Sequence, residues 1–371
     1  MIYFDHAATS FPKPECVRRA VSDCIEHYCG NPGRGGHLLS LRASEAVYEA
    51  RETVAELLFA DPEQIVFTQN ATAALNLAIR TRVKRGSRIL ISDQEHNATL
   101  RVVYALSDQG GVRYDVFPSL ASDEATLERY VHADTDILVC NLTSNVTGNT
   151  VPLDALFSVS KRHGLYLILD ASQWLGHHEI PRALCEADAV CAPGHKGLYG
   201  IQGSGFAYLK NADQLPPFLY GGSGINSKSR EMPSALPEKF EAGTLATPAI
   251  VSLAAGIGYI QRIGFDEIAA CETRLVRRCK EILSSFECLR IFGGNDGSSL
   301  LSFTHETLPS EQIADALDRF GICVRAGFHC APSAHESQIG NENGAVRISF
   351  GLSNTKKELD ALYLALREIL R

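Results

Sequence analysis

The sequence has little positive charge with which to bind a polyanion. Its 371 residues include 35 Lys and Arg against 43 Asp and Glu, a formal net charge of −8, and the basic residues form no stripe. Proteins that bind nucleic acid carry a concentrated basic surface that neutralises phosphates. The composition therefore predicts small molecules and other proteins, and no nucleic acid, as partners.

The sequence also lacks the marks of a targeting or membrane segment. The start, MIYFDHAATSFPKPE, has neither the apolar stretch of a secretion signal nor the Arg/Ser-rich pattern of a transit peptide. The longest uncharged segment, 242–261, contains glycines and hydroxyl groups that suit a buried helix beginning near Pro248 better than a bilayer span. We expect no membrane association and a cytoplasmic location.

Cysteine is plentiful, but the patterns that would pair it are absent. The chain has eleven cysteines, an odd number, and none forms a C-x-x-C pair. In a long chain without a secretion signal, this usage favours free thiols in a reducing compartment over a disulfide framework.

Short apolar runs alternate with helical patterns from residue 40 to about residue 210. Such runs, rich in β-branched residues, indicate strands of a mostly parallel sheet covered on both faces. The segment PLDALFSVSKRHG predicts one intervening helix, with Pro152 at its first position and Gly164 at its end. The predicted strands are 64–68, 88–92, 136–141, 165–170, 189–193 and 205–210.

The pattern changes after Pro248. Two helices near 249–262 and 266–286 precede adjacent short strands and further helices, an order typical of an α+β domain. We predict a large domain over 15–255 and a small domain over 256–371, which residues 1–14 join. The later predicted elements are strands near 289–293, 299–304, 322–325 and 345–350, and helices near 310–320 and from about 356.

Polar residues at the ends of the predicted strands form the candidate site, because open α/β sheets bind ligands beyond the carboxyl ends of their strands. The segment PGHKGLYGIQGSG places Lys196 between glycines just after a strand, where the backbone can approach a ligand closely. A desolvated lysine loses its proton and becomes a nucleophile. Taken alone, the pattern equally fits a surface lysine in a glycine turn.

Two further strand ends extend this candidate site. The run LYLILD ends in Asp170, a carboxylate that either caps the next helix or faces a cation such as the pyridinium nitrogen of pyridoxal phosphate. The segment TQNATAALN places Thr72 at the start of a helix, where amide groups suit a phosphate. Each pattern by itself also fits an ordinary helix cap.

In this order along the chain, the three patterns resemble the fold type I pyridoxal-phosphate enzymes, a family of α/β transferases. More narrowly, the chain looks like the class V aminotransferase superfamily and its cysteine desulfurases, in the group with an R-x-G-x-H-C loop. The resemblance covers nearly the whole chain. Its motifs are YFDHAATS, NPGRGGH, QEHNAT, SNVTG, LDASQ, GHKGLYG, FEAGTLATP, RAGFHCAP and VRISFG.

This resemblance implies roles for the residues around the cofactor. Lys196 would carry pyridoxal phosphate covalently and later move the α-proton of the substrate. Asp170 would pair with the pyridine nitrogen, and Gln173 would hydrogen-bond the phenolic oxygen. His96 would stack on the ring and shuttle protons.

The resemblance also implies how the phosphate is held. Thr72, the Ala71 amide and His195 would bind it, and Thr244 would reach it from the second subunit of a homodimer. Two departures weaken this site: Pro193 replaces a serine that is usual in relatives, and Ala71 replaces a common threonine.

The substrate implied by the resemblance is L-cysteine, held by three residues. Asn145 and Arg347 would bind the amino acid, with Arg347 gripping its carboxylate in a fork that lysine does not reproduce. Arg34 corresponds to a residue at the mouth of the active site near the dimer interface.

The segment RAGFHCAPSAH contains the cysteine that the resemblance makes the sulfur acceptor. Cys330 would attack the substrate sulfur, leave alanine behind and carry a persulfide to an acceptor protein or small thiol. Glycine and proline in this loop predict mobility, and the nearby Arg325 and His329 are expected to favour the thiolate. Phe328 replaces the first histidine of the usual H-H-C.

Other interpretations of these residues remain open. Cys330 with His329 and His335 also has the composition of a zinc site, but no second ligand cluster at finger or ribbon spacing follows, and we expect no metal. The alternative functions are a selenocysteine lyase, an aminotransferase or other lyase of the superfamily, and an inactive scaffold that binds a sulfur carrier. The thiol of Cys330 argues against an aminotransferase, which needs no sulfur acceptor.

Overall fold

A computed structural model of the chain describes residues 1–33, 36–121 and 123–370. The strands are β1 Ile2–Tyr3, β2 Ile65–Thr68, β3 Arg88–Ser92, β4 Arg113–Phe117, β5 Ile137–Asn141, β6 Tyr166–Asp170, β7 Ala189–Pro193, β8 Gly205–Leu209, β9 Leu289–Gly293, β10 Leu300–His305, β11 Ile322–Cys323, β12 Arg325–Gly327 and β13 Ala345–Ser349. The α-helices are α1 Glu15–Asp23, α2 Leu38–Leu58, α3 Ala71–Arg82, α4 Asn97–Asp108, α5 Glu124–Glu128, α6 Leu153–His163, α7 Thr247–Ile263, α8 Phe265–Ser284, α9 Ser310–Arg319, α10 Pro332–Ala334 and α11 Lys356–Ile369.

A seven-stranded sheet forms the larger part of the fold. Its strand order is β2-β8-β7-β6-β5-β3-β4, in which only β8 runs antiparallel to its two neighbours. The carboxyl ends of β5, β6 and β7 therefore meet at one edge of the sheet, which is where such sheets bind ligands.

Helices cover both faces of this sheet, because successive side chains of a buried strand point to opposite sides. In β3, Leu90 joins the core formed with α2, α6 and α7, whereas Ile89 and Ile91 join the core formed with α3 and α4. The predicted α/β class with a mostly parallel sheet is confirmed.

A second sheet, antiparallel and four-stranded in the order β12-β13-β10-β9, packs against α8, α9 and α11. The amino terminus joins this part: β1 pairs with β11, and Phe4 is fully buried in its core. The predicted boundary between residues 255 and 256 lies inside α7, and the division into two domains stays a prediction.

The local signals at the helix ends were largely correct. Gly164 ends α6 in the left-handed conformation (φ +64°), which glycine adopts without a steric penalty, but Pro152 caps α6 from just outside it rather than occupying its first turn. The uncharged segment forms α7, whose Leu253 and Ile257 are fully buried, so the prediction of a buried helix is confirmed. Among the residues described, every helix is too short or too polar to span a bilayer.

Candidate active site

A cavity of about 210 Å³ opens at the carboxyl ends of β5, β6 and β7. Most of the predicted site residues line it, namely Ala71, Thr72, His96, Asn145, Asp170, Gln173, His195, Lys196 and Arg347. Cys330 and Thr244 do not line it, and Arg34 lies outside the described residues. The fold therefore brings together side chains that are up to 276 positions apart in sequence, from Ala71 to Arg347.

Lys196 lies in the turn after β7, with its side chain enclosed by the cavity. Burial lowers the pKa of its ammonium group to about 8, and Arg347 and Arg325 act in the same direction while Asp170 opposes them. Its amino group has no hydrogen-bond partner among the residues described. Lys196 is therefore available as a nucleophilic amine close to neutral pH.

Asp170 ends β6 and faces the same cavity with only 2% of its surface exposed. Its Oδ1 atom accepts a hydrogen bond of 2.9 Å from the backbone N–H of Ser172. A carboxylate this deeply buried calls for a cationic or hydrogen-donating partner, and the cavity in front of it is where such a group would lie.

Gln173 has a buried side-chain oxygen without a hydrogen-bond partner among the described residues. Its Nε2 donates a 2.8 Å hydrogen bond to the carbonyl oxygen of Ala7, while its buried Oε1 has no partner among the described residues. Buried polar atoms without a partner are rare and point to a missing ligand or water.

His96 precedes α4 and caps it. Its Nδ1 accepts a 3.0 Å hydrogen bond from the backbone N–H of Ala98, so in the neutral ring the proton resides on Nε2. Burial lowers the pKa of His96 to about 4, and Lys196 adds to this shift. The ring is therefore neutral at physiological pH, with its surface and one N–H donor available to the cavity.

The amino-terminal turn of α3 forms another wall of the cavity. Asn70 caps this helix by accepting from the backbone N–H of Ala73 at 2.9 Å, and the N–H groups of Ala71 and Thr72 have no partner within the described ranges. On the facing side, His195 has a buried Nδ1 without a partner there, and Pro193 contributes no donor. Together these groups form a neutral, donor-rich pocket of the kind that binds phosphate.

The amino-terminal segment Ala7–Lys13 closes the site from one side, a feature that the sequence did not reveal. The carbonyl oxygen of His195 accepts hydrogen bonds from Ser10 N at 3.0 Å, Thr9 Oγ1 at 3.0 Å and Lys13 Nζ at 2.9 Å. Burial lowers the pKa of Lys13 to about 8. His195, next to Lys196, is thus fixed by a segment that lies more than 180 residues earlier in the chain.

Arg347 lies on β13 and is only 2% exposed. Nη1 donates to the carbonyl oxygen of Asn145 at 2.9 Å, and Nη2 pairs with Asp5 at 2.7 Å. Directly opposite on β12, the exposed Arg325 also lines the cavity and has no carboxylate partner among the described residues. The sequence had predicted neither Arg325 nor Asp5 as part of this wall, although YFDHAATS contains Asp5.

The loop that carries Cys330 is fixed at the rim of the cavity. Asn145 Nδ2 donates a 2.7 Å hydrogen bond to the carbonyl oxygen of His329. The backbone N–H of Asn97 donates a 2.7 Å hydrogen bond to the carbonyl oxygen of Cys330. His329 and Cys330 have successive left-handed conformations, with φ of +53° and +57°. Two hydrogen bonds thus hold the backbone of this loop, the Cys330 side chain is exposed, and the mobility of the loop stays a prediction.

His329 does not supply the positive charge that the sequence suggested. Burial, followed by the charge of Arg347, holds the pKa of this imidazole well below its usual range, so the ring is neutral. The expectation that His329 favours a thiolate through its charge is therefore wrong, and of the two residues expected to do so only Arg325 carries a charge. Nowhere in the described ranges do three His, Cys, Asp or Glu side chains form a group that could hold a metal ion.

The residues present fit pyridoxal phosphate. Lys196 supplies an amine for its aldehyde, and Asp170 supplies a carboxylate for its pyridine nitrogen. Gln173 supplies a polar atom without a partner, and the first turn of α3 supplies donors for its phosphate. Each of these groups faces the same cavity.

Comparisons with known proteins agree with this fit. A 32% identical relative, a probable cysteine desulfurase of Methanothermobacter thermautotrophicus, aligns over 99% of this chain and 94% of its own length. The apo structure of a cysteine desulfurase from Thermococcus onnurineus NA1 superposes with a TM-score of 0.89 at 30% identity, covering 99% of this chain and 94% of that one. The Escherichia coli cysteine desulfurase CsdA, in its S-sulfonic acid form, gives 0.88 at 28% identity, covering 99% and 94%.

The same fold extends to more distant pyridoxal-phosphate proteins. A C-DES variant with glycine covalently linked to its PLP cofactor superposes with a TM-score of 0.81 at 20% identity, covering 98% of this chain and 95% of that one. The family described as aminotransferase class-V matches residues 2–362. This chain therefore belongs to the aminotransferase class-V family.

Proposed function

We propose that this protein is a pyridoxal-phosphate-dependent cysteine desulfurase, which converts L-cysteine to L-alanine and carries the sulfur as a persulfide on Cys330. One observation carries this proposal. A single cavity is lined by Lys196, Asp170 and Arg347, and the loop bearing an exposed cysteine is hydrogen-bonded to its rim through Asn145.

Four side chains would hold the ring and the aldehyde of the cofactor. Pyridoxal phosphate, when bound, supplies an electron sink that weakens the Cβ–S bond of the substrate. Lys196 binds the aldehyde carbon, which its lowered pKa permits near neutral pH. Asp170 would hydrogen-bond the pyridine nitrogen, Gln173 would hydrogen-bond the phenolic oxygen, and His96 would stack on the ring.

The phosphate would be held mainly by neutral donors. The N–H groups of Ala71 and Thr72, the Thr72 hydroxyl and the His195 ring are the donors available in one chain. Pro193 offers none, so this chain relies on backbone groups more than a relative with serine at that position.

The amino acid substrate would bind between β13 and the strand-end loop of β5. Arg347 binds the carboxylate with its fork of N–H donors, and Asp5 fixes the orientation of the guanidinium. Asn145 completes this contact, and Arg34 is proposed to act at the mouth of the cavity. Arg325, opposite Arg347, adds positive charge on the same side.

Two groups would move protons. Lys196 would take the α-proton of the substrate, because its amine lines the cavity and burial lowers its pKa to about 8. His96 is neutral with its proton on Nε2, so it can donate a proton to the substrate and then recover it.

Sulfur transfer would end on Cys330. The thiolate of Cys330 attacks the substrate sulfur, so that an S–S bond forms while the Cβ–S bond breaks. The electron pair of the broken bond remains on carbon, which takes up a proton and yields alanine. L-Cysteine and one thiol thus give L-alanine and one persulfide, without an external oxidant or reductant.

We also propose a homodimer in which Thr244 reaches the phosphate of the neighbouring subunit. Thr244 is exposed and lies outside its own cavity, as a residue acting in a second subunit must. Exposed apolar side chains on α2 and on the loop before residue 226 suit such an interface. They are Leu38, Leu39, Leu41, Tyr48, Leu219 and Tyr220.

We further propose where the protein is located and how its sulfur is delivered. The eleven cysteines are all free, which supports a reducing, cytoplasmic setting. Because Cys330 is exposed, its persulfide can pass to an acceptor protein or a small thiol. We retain the proposed division into a cofactor-binding domain and a small domain that carries the Cys330 loop.

The test is a single turnover of the purified yellow protein with L-cysteine. Alanine is quantified, and the peptide bearing Cys330 is trapped and weighed for a persulfide. Cys330→Ala is compared with Cys29→Ala, which removes another exposed thiol. One alanine per site and a persulfide in wild type and Cys29→Ala, but neither in Cys330→Ala, supports the proposal. Turnover that needs a keto acid, with no persulfide, would contradict it.

A further inference from the structure

Two buried imidazoles support the loop that carries Cys330. His329 and His335 are 5% and 2% exposed, and their rings stack with centroids 5.4 Å apart and an interplanar angle of 17°. His329 Nδ1 lies 3.2 Å from His335 Nε2. His335 follows α10, and its ring also packs against Phe328 at 5.1 Å. None of the roles proposed above uses His335.

The acceptors around this pair determine where its protons lie. His329 Nε2 is 3.3 Å from the carbonyl oxygen of Arg325, which can only accept, so Nε2 must carry the proton. Burial lowers the pKa of both rings, that of His335 to about 4, so both are neutral. The Nδ1 atom of His329 is then an acceptor, and His335 Nε2 must be its donor.

The second nitrogen of His335 shows that this ring is not placed merely to fill space. His335 Nδ1 is buried and has no hydrogen-bond partner within the part of the chain described. An unmet buried acceptor destabilises a fold, and a phenylalanine would fill the same volume without it. The donor bond to His329 is therefore the feature of His335 that requires an imidazole.

We propose that His335 is a positioning residue for the sulfur-transfer step, an inference that rests on the function proposed above. By donating to His329 Nδ1, it fixes the His329 ring. The carbonyl of His329 is held by Asn145 and that of Cys330 by the backbone of Asn97. Together these bonds maintain two successive left-handed residues and so set the direction in which the Cys330 side chain leaves the loop.

Three variants separate the hydrogen bond from the packing. His335→Phe keeps an aromatic ring against His329 and Phe328 but has no donor. His335→Gln places an amide N–H close to the position of Nε2 and keeps the donor. His178→Phe is the matched control, because His178 stacks on Trp174 at 5.5 Å and does not line the cavity.

Single-turnover rates of Cys330 persulfide formation are measured at saturating and limiting L-cysteine, with cofactor absorbance as a check on the site. We expect His335→Phe to slow the saturated rate by at least about tenfold, because a small misplacement of the reacting group is costly. The cysteine concentration for half-maximal rate should change little, and His335→Gln and His178→Phe should retain most of the wild-type rate. A wild-type rate in His335→Phe, or equal losses in the Phe and Gln variants, would overturn the proposal.

A second measurement reads the tautomers in the wild-type protein itself and needs a variant only for assignment. Nitrogen-15 spectra of the histidines in the wild-type protein, with His335→Gln used to assign the signals, report the tautomers directly. We expect both rings to be neutral with the proton on Nε2, and a proton on Nδ1 of His329 would overturn the inference. If wild type forms no alanine from cysteine, the proposed function fails by itself, whatever these spectra show.

Discussion

The side-chain amide of Asn145 donates a 2.7 Å hydrogen bond to the carbonyl oxygen of His329, 184 residues later in the chain. The carbonyl of Asn145 itself accepts from Arg347 at 2.9 Å. One residue thus connects the guanidinium proposed to bind the substrate carboxylate with the loop proposed to receive the substrate sulfur. The position of Cys330 is therefore coupled to the substrate-binding wall.

We predict that Asn145→Asp impairs sulfur transfer. The aspartate cannot donate to the His329 carbonyl, and leaving a buried acceptor unmatched costs about 1–3 kcal/mol, or roughly a 5- to 150-fold effect. The persulfide rate at saturating cysteine should fall in this range, as measured by rapid quench. Asn295→Asp is the control, because Asn295 makes a comparable 2.9 Å amide bond to Asn149 at the surface. An unchanged rate in Asn145→Asp would show that the loop is held without this bond.

Cofactor capture should depend on pH through Lys196. Its pKa is lowered from 10.5 to about 8, so the neutral amine becomes more abundant as pH rises and is dominant above about 8. In cofactor-free protein, the rate at which the visible absorption band appears should rise by about tenfold per pH unit at low pH and level off above pH 8.

Two lysine variants check the assignment of this pH dependence. Lys196→Ala should give no band at any pH, whereas Lys210→Ala, which removes a surface lysine, should behave as wild type. A plateau reached only near the ordinary lysine pKa would show that the side chain is not desolvated in the free protein.

Arg347→Lys should weaken substrate binding while leaving the cofactor in place. Lysine keeps the charge but loses the planar fork that contacts Asn145 and Asp5 together. We expect KM for cysteine to rise by at least about tenfold, which corresponds to about 1.4 kcal/mol, with an unchanged cofactor spectrum. Steady-state alanine release measures this effect. A KM close to wild type would assign the carboxylate to Arg325 instead.

The buried pair Arg51–Glu241 should be important for stability. Both guanidinium ends contact the carboxylate at 2.8 Å, the two side chains are 6% and 5% exposed, and Glu241 also accepts from Phe67 N at 2.7 Å. Arg51→Met leaves an uncompensated buried carboxylate, which costs about 3–5 kcal/mol of the free energy of unfolding. Urea denaturation at saturating cofactor measures this loss in the free energy of unfolding. Arg19→Met, which removes an exposed ion pair with Glu15, should change little.

The sequence predicted the buried strands well because each is an almost continuous apolar run. Predicted strands 88–92 and 189–193 coincide with β3 and β7. The sequence did not predict β4, Arg113–Phe117, which lies at the edge of the sheet. Three of its five residues are exposed, so apolar and polar side chains do not alternate clearly along it. Edge strands carry little of the signal that burial imposes on sequence.

Of the candidate site, the residues next to strand ends were predictable, and their long-range contacts were not. Lys196 and Asp170 follow recognisable local patterns, and both reach the cavity. The pairing of Arg347 with Asp5 joins residues 342 positions apart, which no local pattern encodes. The neutral state of His329 depends on burial beside Arg347, so its sequence neighbours alone led to the wrong charge.

The contacts of the Ala7–Lys13 segment with His195 and Gln173 have a thermodynamic consequence. Because this segment holds both residues where the cofactor would contact them, cofactor binding and docking of the amino terminus are linked equilibria. If bound cofactor stabilises the docked position of this segment by a given free energy, then docking of the segment must strengthen cofactor binding by the same free energy. The segment Ala7–Lys13 therefore behaves as an intramolecular ligand of the active site, and its removal should weaken cofactor binding.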